Sequence, residues 1–213
     1  MKQLLFLTGC FVLLQHTNAQ SLKDSTVILS MQAPETFKAE FKTTKGNFII
    51  EVYKAWSPKA ADRLYQLITT GTYNNIFIFR ATGKYVQFGI SNDSAVNFFW
   101  DRHAIPDEPV LQSNTDSSVS FASGGPNTRS SQIFINMQNN LKLDTTHFMG
   151  VSGFPPIGKV IEGMEVVRKF NTQYGDDIAY NYQDSIYSKG NNYLIKNFPG
   201  LDSIISATII SKQ

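Results

Sequence analysis

The spacing of apolar positions changes along the chain, and each change marks a new element. From Phe41 to Tyr53 the sequence reads FKTTKGNFIIEVY, two β-like runs around Lys45-Gly46-Asn47, which predicts a hairpin. The period then becomes helical. Ala60, Ala61, Leu64, Leu67 and Ile68 share one face, Ser57 stands at the N-cap position, Pro58 suits the first turn, and Gly71 suits the end. Strand-like runs follow at 76–80, 85–90, 119–122 and 133–136, the last two separated by the turn Gly124-Gly125-Pro126-Asn127. Val160 and Ile161 follow a glycine-rich loop. Met164, Val167 and Phe170 predict a helix over 162–170, and a last strand is expected over 207–210. Many strands with two well-separated helices predict a mainly β fold, a closed antiparallel β-barrel capped by two α-helices.

The N-terminus reads as an address. Lys2 precedes an apolar stretch from Leu4 to Leu14, broken only by Thr8, Gly9 and Cys10, and Thr17-Asn18-Ala19 supplies small residues for cleavage. The stretch is too short to span a bilayer, which needs roughly 20 apolar residues. The expected organisation is a signal peptide over 1–19, an N-terminal arm over 20–39, and a working domain over 40–213. Export to a periplasm or secretion follows, with no stable membrane insertion after cleavage. A rival reading takes Leu7-Thr8-Gly9-Cys10 as a lipoprotein box with a lipid anchor on Cys10. Against it, few apolar residues precede Cys10 and Phe11-Val12-Leu13-Leu14 continue the run.

Composition narrows the chemistry. The 213 residues are 42% hydrophobic, enough for a packed core. A net charge of +2 argues against nucleic acid as a partner. The single cysteine, Cys10, lies in the expected signal and excludes an internal disulfide. Of three histidines, only His103 and His147 lie outside the signal, which is too few for a metal site. HExxH, G-x-S-x-G, GxGxxG and GxxxxGK[ST] patterns are all absent, so no metal, nucleotide or covalent nucleophile is expected.

One long pattern stands out. Phe77-Ile78-Phe79-Arg80 is an aromatic strand ending in arginine, and Tyr85-Val86-Gln87-Phe88-Gly89 follows. Then comes Phe121-Ala122-Ser123-Gly124-Gly125-Pro126-Asn127-Thr128, with Ser131-Gln132-Ile133-Phe134-Ile135-Asn136 shortly after. Leu143-Asp144 and Phe154-Pro155-Pro156-Ile157-Gly158-Lys159-Val160 complete it. From about Phe41 to the C-terminus the sequence resembles the cyclophilin family of peptidyl-prolyl isomerases. The segments 105–110 and 190–202 resemble an exported bacterial branch.

The resemblance implies an eight-stranded barrel with two capping helices, acting as a monomer on proline-containing polypeptides without a cofactor. It implies that Arg80 is the catalytic arginine, oriented by Gln87, which also contacts substrate backbone. Phe134 and Leu143, completed by Tyr85, would form the proline pocket. Ala122, Ser123 and Gln132 would line the backbone groove, and Phe154 would stand near the substrate carbonyl. The expected activity is rotation about X-Pro bonds during folding of exported proteins. The alternative is a weak or inactive proline-peptide-binding module of the same fold.

Three departures accompany the resemblance. The Arg80-to-Gln87 segment is one residue shorter than the family pattern. Lys142 replaces the aromatic common before Leu-Asp, and the loop from Asp144 to Ile157 is longer than usual. Losing one residue from a strand flips its faces unless a turn or bulge absorbs the loss.

Overall fold

The computed structural model describes residues 25–148 and 150–213. The expected signal over 1–19, with Cys10, lies outside the described residues. Residues 25–30 are helical and belong to a unit ending at Gln32, while the second compact unit is Ala33–Gln213.

The second unit opens with the expected hairpin. β1 (Thr36–Thr43) pairs with β2 (Gly46–Tyr53) around Thr44-Lys45. Thr43 Oγ1 donates to Gly46 O at 2.6 Å, and Gly46 takes φ +123°, which glycine adopts without a Cβ penalty. α1 (Pro58–Thr69) follows and buries Ala60, Ala61, Leu64 and Leu67. Ser57 precedes α1 but does not cap it with its side chain. Glu108 performs that task from a distant loop. Its carboxylate accepts from Lys59 N at 2.8 Å, Ala60 N at 3.1 Å and Ser57 Oγ at 2.5 Å. A carboxylate there satisfies free N–H groups and complements the positive end of the helix dipole.

The remaining strands are β3 (Ile76–Phe77), β4 (Arg80–Ala81), β5 (Tyr85–Phe88), β6 (Ser118–Phe121), β7 (Ile133–Asn136), β8 (His147–Phe148), β9 (Val151–Ser152), β10 (Pro156–Glu162) and β11 (Ser203–Lys212). Nine of the described strands form one antiparallel sheet in the order β3-β11-β1-β2-β10-β6-β7-β5-β4, and β8 and β9 form a separate hairpin. The sheet counts nine strands against the eight expected, the extra one arising where the run expected over 76–80 divides into β3 and β4. Its end strands, β3 and β4, do not pair with each other but are neighbours along the chain. The run expected as one strand over 76–80 divides at Ile78, whose N–H donates to Asp202 O at 2.9 Å. On one side of that division the chain pairs with β11, on the other with β5.

Phe41 stacks on Phe48 at 5.0 Å and packs against Phe88 at 5.8 Å, with Ile50, Leu64, Leu67, Ile133 and Ile135 also excluded from water. Each such side chain contributes roughly 1.5–3 kcal/mol of burial. β1 alternates, burying Phe37, Ala39 and Phe41 and turning Lys38 and Lys42 outward, whereas β6 and β7 are buried at every position.

The pair of capping helices is also corrected. The helix expected over 162–170 is a single turn, α3 (Met164–Val167), entered through Gly163 at φ +79°. A helix not anticipated, α2 (Ser94–Arg102), is capped by Asp93, whose Oδ1 accepts from Ala95 N at 2.8 Å. Three further short helices, α4 (Asp177–Asn181), α5 (Gln183–Lys189) and α6 (Asn191–Asn197), fill the space before β11. Ile178, Ala179, Ile186, Leu194 and Phe198 of this segment form an apolar cluster with Phe79 and Ile90 of the sheet region. That cluster brings α4 and α5 beside Arg80.

Candidate active site

Arg80 and Gln87 are directly paired residues of the β4–β5 ladder. Thr82 closes the hairpin, with its N–H donating to Tyr85 O at 2.8 Å and its Oγ1 accepting from Lys84 N and Tyr85 N at 3.0 Å. The shortened segment is thus absorbed by the tight turn Gly83-Lys84, and the two side chains share one face of the sheet. Arg80 Nη1 donates to Gln87 Oε1 at 3.0 Å. Tyr85, two residues from Gln87, lies on the same face, and the Arg80 guanidinium stands 4.9 Å over its ring.

The pocket in front of this pair has a volume of about 400 Å³. It is lined by Arg80, Tyr85, Gln87, Ala122, Ser123, Phe134, Leu143 and Phe154, eight of the nine expected site residues. Gln132 joins from behind, where its Oε1 accepts from Gln87 Nε2 at 2.9 Å. Phe134 comes from β7, directly opposite Gln87 on β5. Its ring meets Tyr85 edge-on at 5.7 Å and Phe154 edge-on at 5.9 Å, giving an aromatic floor. Ala122 N donates to Gln132 O at 2.9 Å, and Ser123 Oγ donates to Gly125 O at 2.7 Å, which shapes the adjoining groove.

Leu143 and Phe154 are set by groups the sequence reading did not single out. The long loop between them folds back through the β8–β9 hairpin, and Phe154 N donates to Leu143 O at 3.0 Å. Asn114, fully buried, locks the fold-back. Its Nδ2 donates to Asp144 Oδ1 at 2.8 Å and to Phe154 O at 2.9 Å, and its Oδ1 accepts from Ser120 Oγ and Asn136 Nδ2 at 3.1 Å. Every hydrogen-bonding atom of this side chain is therefore used, as a buried amide requires. His147 is exposed, and its Nδ1 lies 2.9 Å from Ser152 Oγ across the β8–β9 hairpin.

The largest unanticipated contribution comes from the α4–α5 segment. Ala179, Tyr180 and Gln183 line the pocket. Asp176, just before α4, accepts from Arg80 Nε at 2.6 Å, and Arg80 stands 5.4 Å over the Tyr180 ring. Gln132 Nε2 donates to Gln183 Oε1 at 2.9 Å and to Tyr187 Oη at 3.1 Å. Burial raises the Tyr85 and Tyr187 hydroxyl pKa values, with the Arg80 charge opposing the shift at Tyr85. Among the described residues, no three His, Cys, Asp or Glu side chains gather as metal ligands. The site offers a cationic donor, held at Nε and Nη1, over an aromatic hollow.

A mainly β sheet with this arginine–glutamine pair and aromatic hollow defines the class of peptidyl-prolyl isomerases of cyclophilin type. The family model described as "Cyclophilin type peptidyl-prolyl cis-trans isomerase/CLD" matches residues 38–190, and the chain belongs to that family. It is 28% identical over 133 residues to the peptidyl-prolyl cis-trans isomerase-like 1 of Aspergillus niger, covering 61% of this chain and 78% of the relative. It is 26% identical over 134 residues to a Schizosaccharomyces pombe peptidyl-prolyl cis-trans isomerase, covering 61% of this chain and 82% of that one. A solved Cryptosporidium parvum cyclophilin superimposes with a TM-score of 0.58 at 19% identity, covering 84% of this chain and 99% of its own. A second structure of that cyclophilin, solved in the presence of the dipeptide Ala-Pro, gives a TM-score of 0.54 at 19% identity, covering 82% of this chain and 99% of its own. These two likenesses show the shared fold, and the family assignment makes the chain an enzyme of the isomerase class.

Proposed function

We propose that this chain accelerates rotation about X-Pro peptide bonds during folding of exported proteins, with Arg80 stabilising the twisted amide. The observation that carries the reading is Arg80, held by Gln87 at 3.0 Å, facing a hollow lined by Phe134, Leu143 and Phe154. Rotation is opposed by amide resonance, a barrier of ~18–20 kcal/mol. Unfolded X-Pro bonds populate cis at roughly 10–30% and exchange over tens to hundreds of seconds, slow enough to limit folding. The reaction needs no nucleophile. Phe134, Leu143 and Tyr85 hold the proline ring, and Phe154 stands near the substrate carbonyl. Ala122, Ser123, Gln132 and Gln87 line the flanking backbone.

As the bond twists, the prolyl nitrogen loses conjugation and gains a lone pair. A guanidinium N–H directed at that region interacts more strongly with the twisted state than with either planar isomer. Only such differential stabilisation speeds the step. Arginine suits this role because it is planar and permanently charged. The rival reading, a binding module without turnover, leaned on the shortened Arg80–Gln87 segment. Their direct pairing favours the enzyme. The export reading rests on Lys2, the apolar stretch that follows and Ala19, and the bacterial-branch reading on the resemblance of residues 105–110 and 190–202.

The test is a protease-coupled assay on a proline peptide, with the mass of the mature chain measured alongside. Turnover above the spontaneous rate, lost in a folded Arg80→Ala variant, is expected. No turnover by folded wild type, or full turnover by Arg80→Ala, overturns the reading. A mature mass beginning at Gln20 supports export, and an intact or lipidated N-terminus overturns cleavage after Ala19.

A further inference from the structure

Arg80 is held at two nitrogens by two different parts of the chain. Gln87 Oε1, on the neighbouring strand, takes Nη1 at 3.0 Å. Asp176 Oδ1, on the inserted segment, takes Nε at 2.6 Å. A planar guanidinium fixed at both Nε and Nη1 cannot turn about its Cδ–Nε axis, so its remaining N–H groups keep one direction. Tyr180, four residues after Asp176, adds a ring 5.4 Å away and an Oη 3.4 Å from Nη2. The placement of Asp176 is itself anchored. Ile178, two residues on, and Phe79, next to Arg80, are fully buried in the same apolar cluster.

A second line of contacts ties Gln87 to the same segment. Arg80 can only donate, so Gln87 must present its oxygen to it. The Gln87 amide then donates to Gln132 Oε1, the Gln132 amide to Gln183 Oε1, and the Gln183 amide to Ala179 O at 2.6 Å. Every amide in this row points the same way, from the arginine to a main-chain carbonyl of α4. Such one-directional rows polarise and stiffen one another.

We propose that Asp176 is a positioning residue that orients the Arg80 guanidinium for catalysis, making the α4–α5 segment part of the active site. This rests on the reading of Arg80 as the catalytic arginine. Asp176 touches no substrate in this role. It limits the rotamers of Arg80, so that the arginine is already aimed when the amide twists. Its hydrogen-bond acceptor matters more than its charge, because the geometry needs an oxygen at Nε.

The experiment compares Asp176→Ala with Asp176→Asn, which keeps the oxygen without the charge. Asp176 is half-exposed, so neither change threatens the fold. Isomerisation kinetics are read together with the Arg80 Nε–H proton resonance in protein carrying ¹⁵N-labelled arginine, assigned by its loss in Arg80→Lys. Asp176→Ala should lower kcat about five- to tenfold with KM within about twofold, and should lose an exchange-protected Nε–H present in wild type. Asp176→Asn should retain both the resonance and wild-type kcat within about twofold. Retained protection of Nε–H in Asp176→Ala overturns the proposal, whatever happens to turnover. So does a kcat loss that Asp176→Asn fails to restore. If wild type shows no turnover, the proposed function falls, and the Nε–H protection alone decides whether Asp176 orients Arg80.

Discussion

Arg80 and Gln87 stand directly opposite each other across the β4–β5 ladder, and their side chains meet at 3.0 Å between Nη1 and Oε1. A two-residue turn, Gly83-Lys84, lets a segment one residue shorter than the family pattern keep both groups on one face. Had the missing residue come from the paired strand rather than the turn, Gln87 would point into the core.

Gln87→Glu tests the direction of the amide row. Glutamate still accepts from Arg80 but cannot donate to Gln132 Oε1, now 2.9 Å from a second acceptor. If Gln132 flips to compensate, its oxygen faces that of Gln183. If Gln183 flips as well, its oxygen faces Ala179 O, so one clash remains somewhere along the row, and the new carboxylate also neutralises the arginine. The expected loss is about tenfold in kcat/KM, or about 1.4 kcal/mol of transition-state stabilisation. Urea unfolding should stay close to wild type because the row is only part-buried. Unchanged kcat/KM would remove the row from the mechanism.

Glu108→Ala should be far more damaging to the fold than its loop position suggests. Glu108 caps α1 through Lys59 N and Ala60 N, and its Oε2 lies 3.3 Å from Nη2 of Arg129, a residue only 2% exposed. Asp107 faces the same guanidinium from 3.8 Å, and Pro106 O accepts from Nη2. Removing one partner of a buried charge costs about 3–5 kcal/mol because the other is left without compensation. Losing the cap adds about 1 kcal/mol. The midpoint of urea denaturation measures this, and a loss below about 1 kcal/mol would show that Asp107 alone suffices for Arg129.

Local chemistry made the hairpin, α1 and the strand cores legible in the sequence, whereas the eight pocket residues were named only through the resemblance to the cyclophilin family. Lys45-Gly46, Pro58 and the alternation along β1 each act within a few residues. What escaped depends on distant contacts. Nothing near Ser57 announces that Glu108 caps α1, and nothing near Phe154 announces Asn114. The split of the 76–80 run comes from Asp202, far along the chain. The α4–α6 segment carried a readable signal, since Ile178, Tyr182 and Ile186 recur at helical spacing. Its breaks at Tyr182 and Gly190, however, leave three helices too short to be stable alone. They form because Phe79 and Ile90 give them something to cover. Asp176 could not be assigned to Arg80 before that docking was known. Asp93, of a residue type that favours the N-cap, was readable as a cap for α2.

Alkaline stability should depend on Tyr73. This side chain is fully buried, and its hydroxyl donates to Ser131 O at 2.8 Å. Burial pushes its pKa well above the ordinary 10.0, with the nearby Arg63 charge opposing only in part. The raised folded value means that the native state keeps this proton while the unfolded chain gives it up above pH 10. The stabilisation is therefore complete below pH 10 and declines as pH rises from there towards the folded value, by about 1.4 kcal/mol per pH unit. Tyr73→Phe removes the titrating group and the hydrogen bond together. At pH 7 the variant should be less stable by about 1–2 kcal/mol, because Ser131 O loses its donor. Above pH 10 the gap should shrink, and the two stability curves should cross about one pH unit higher. Urea unfolding of both proteins from pH 7 to 11.5 reads this directly. Parallel curves would show that Tyr73 is not a source of the alkaline loss.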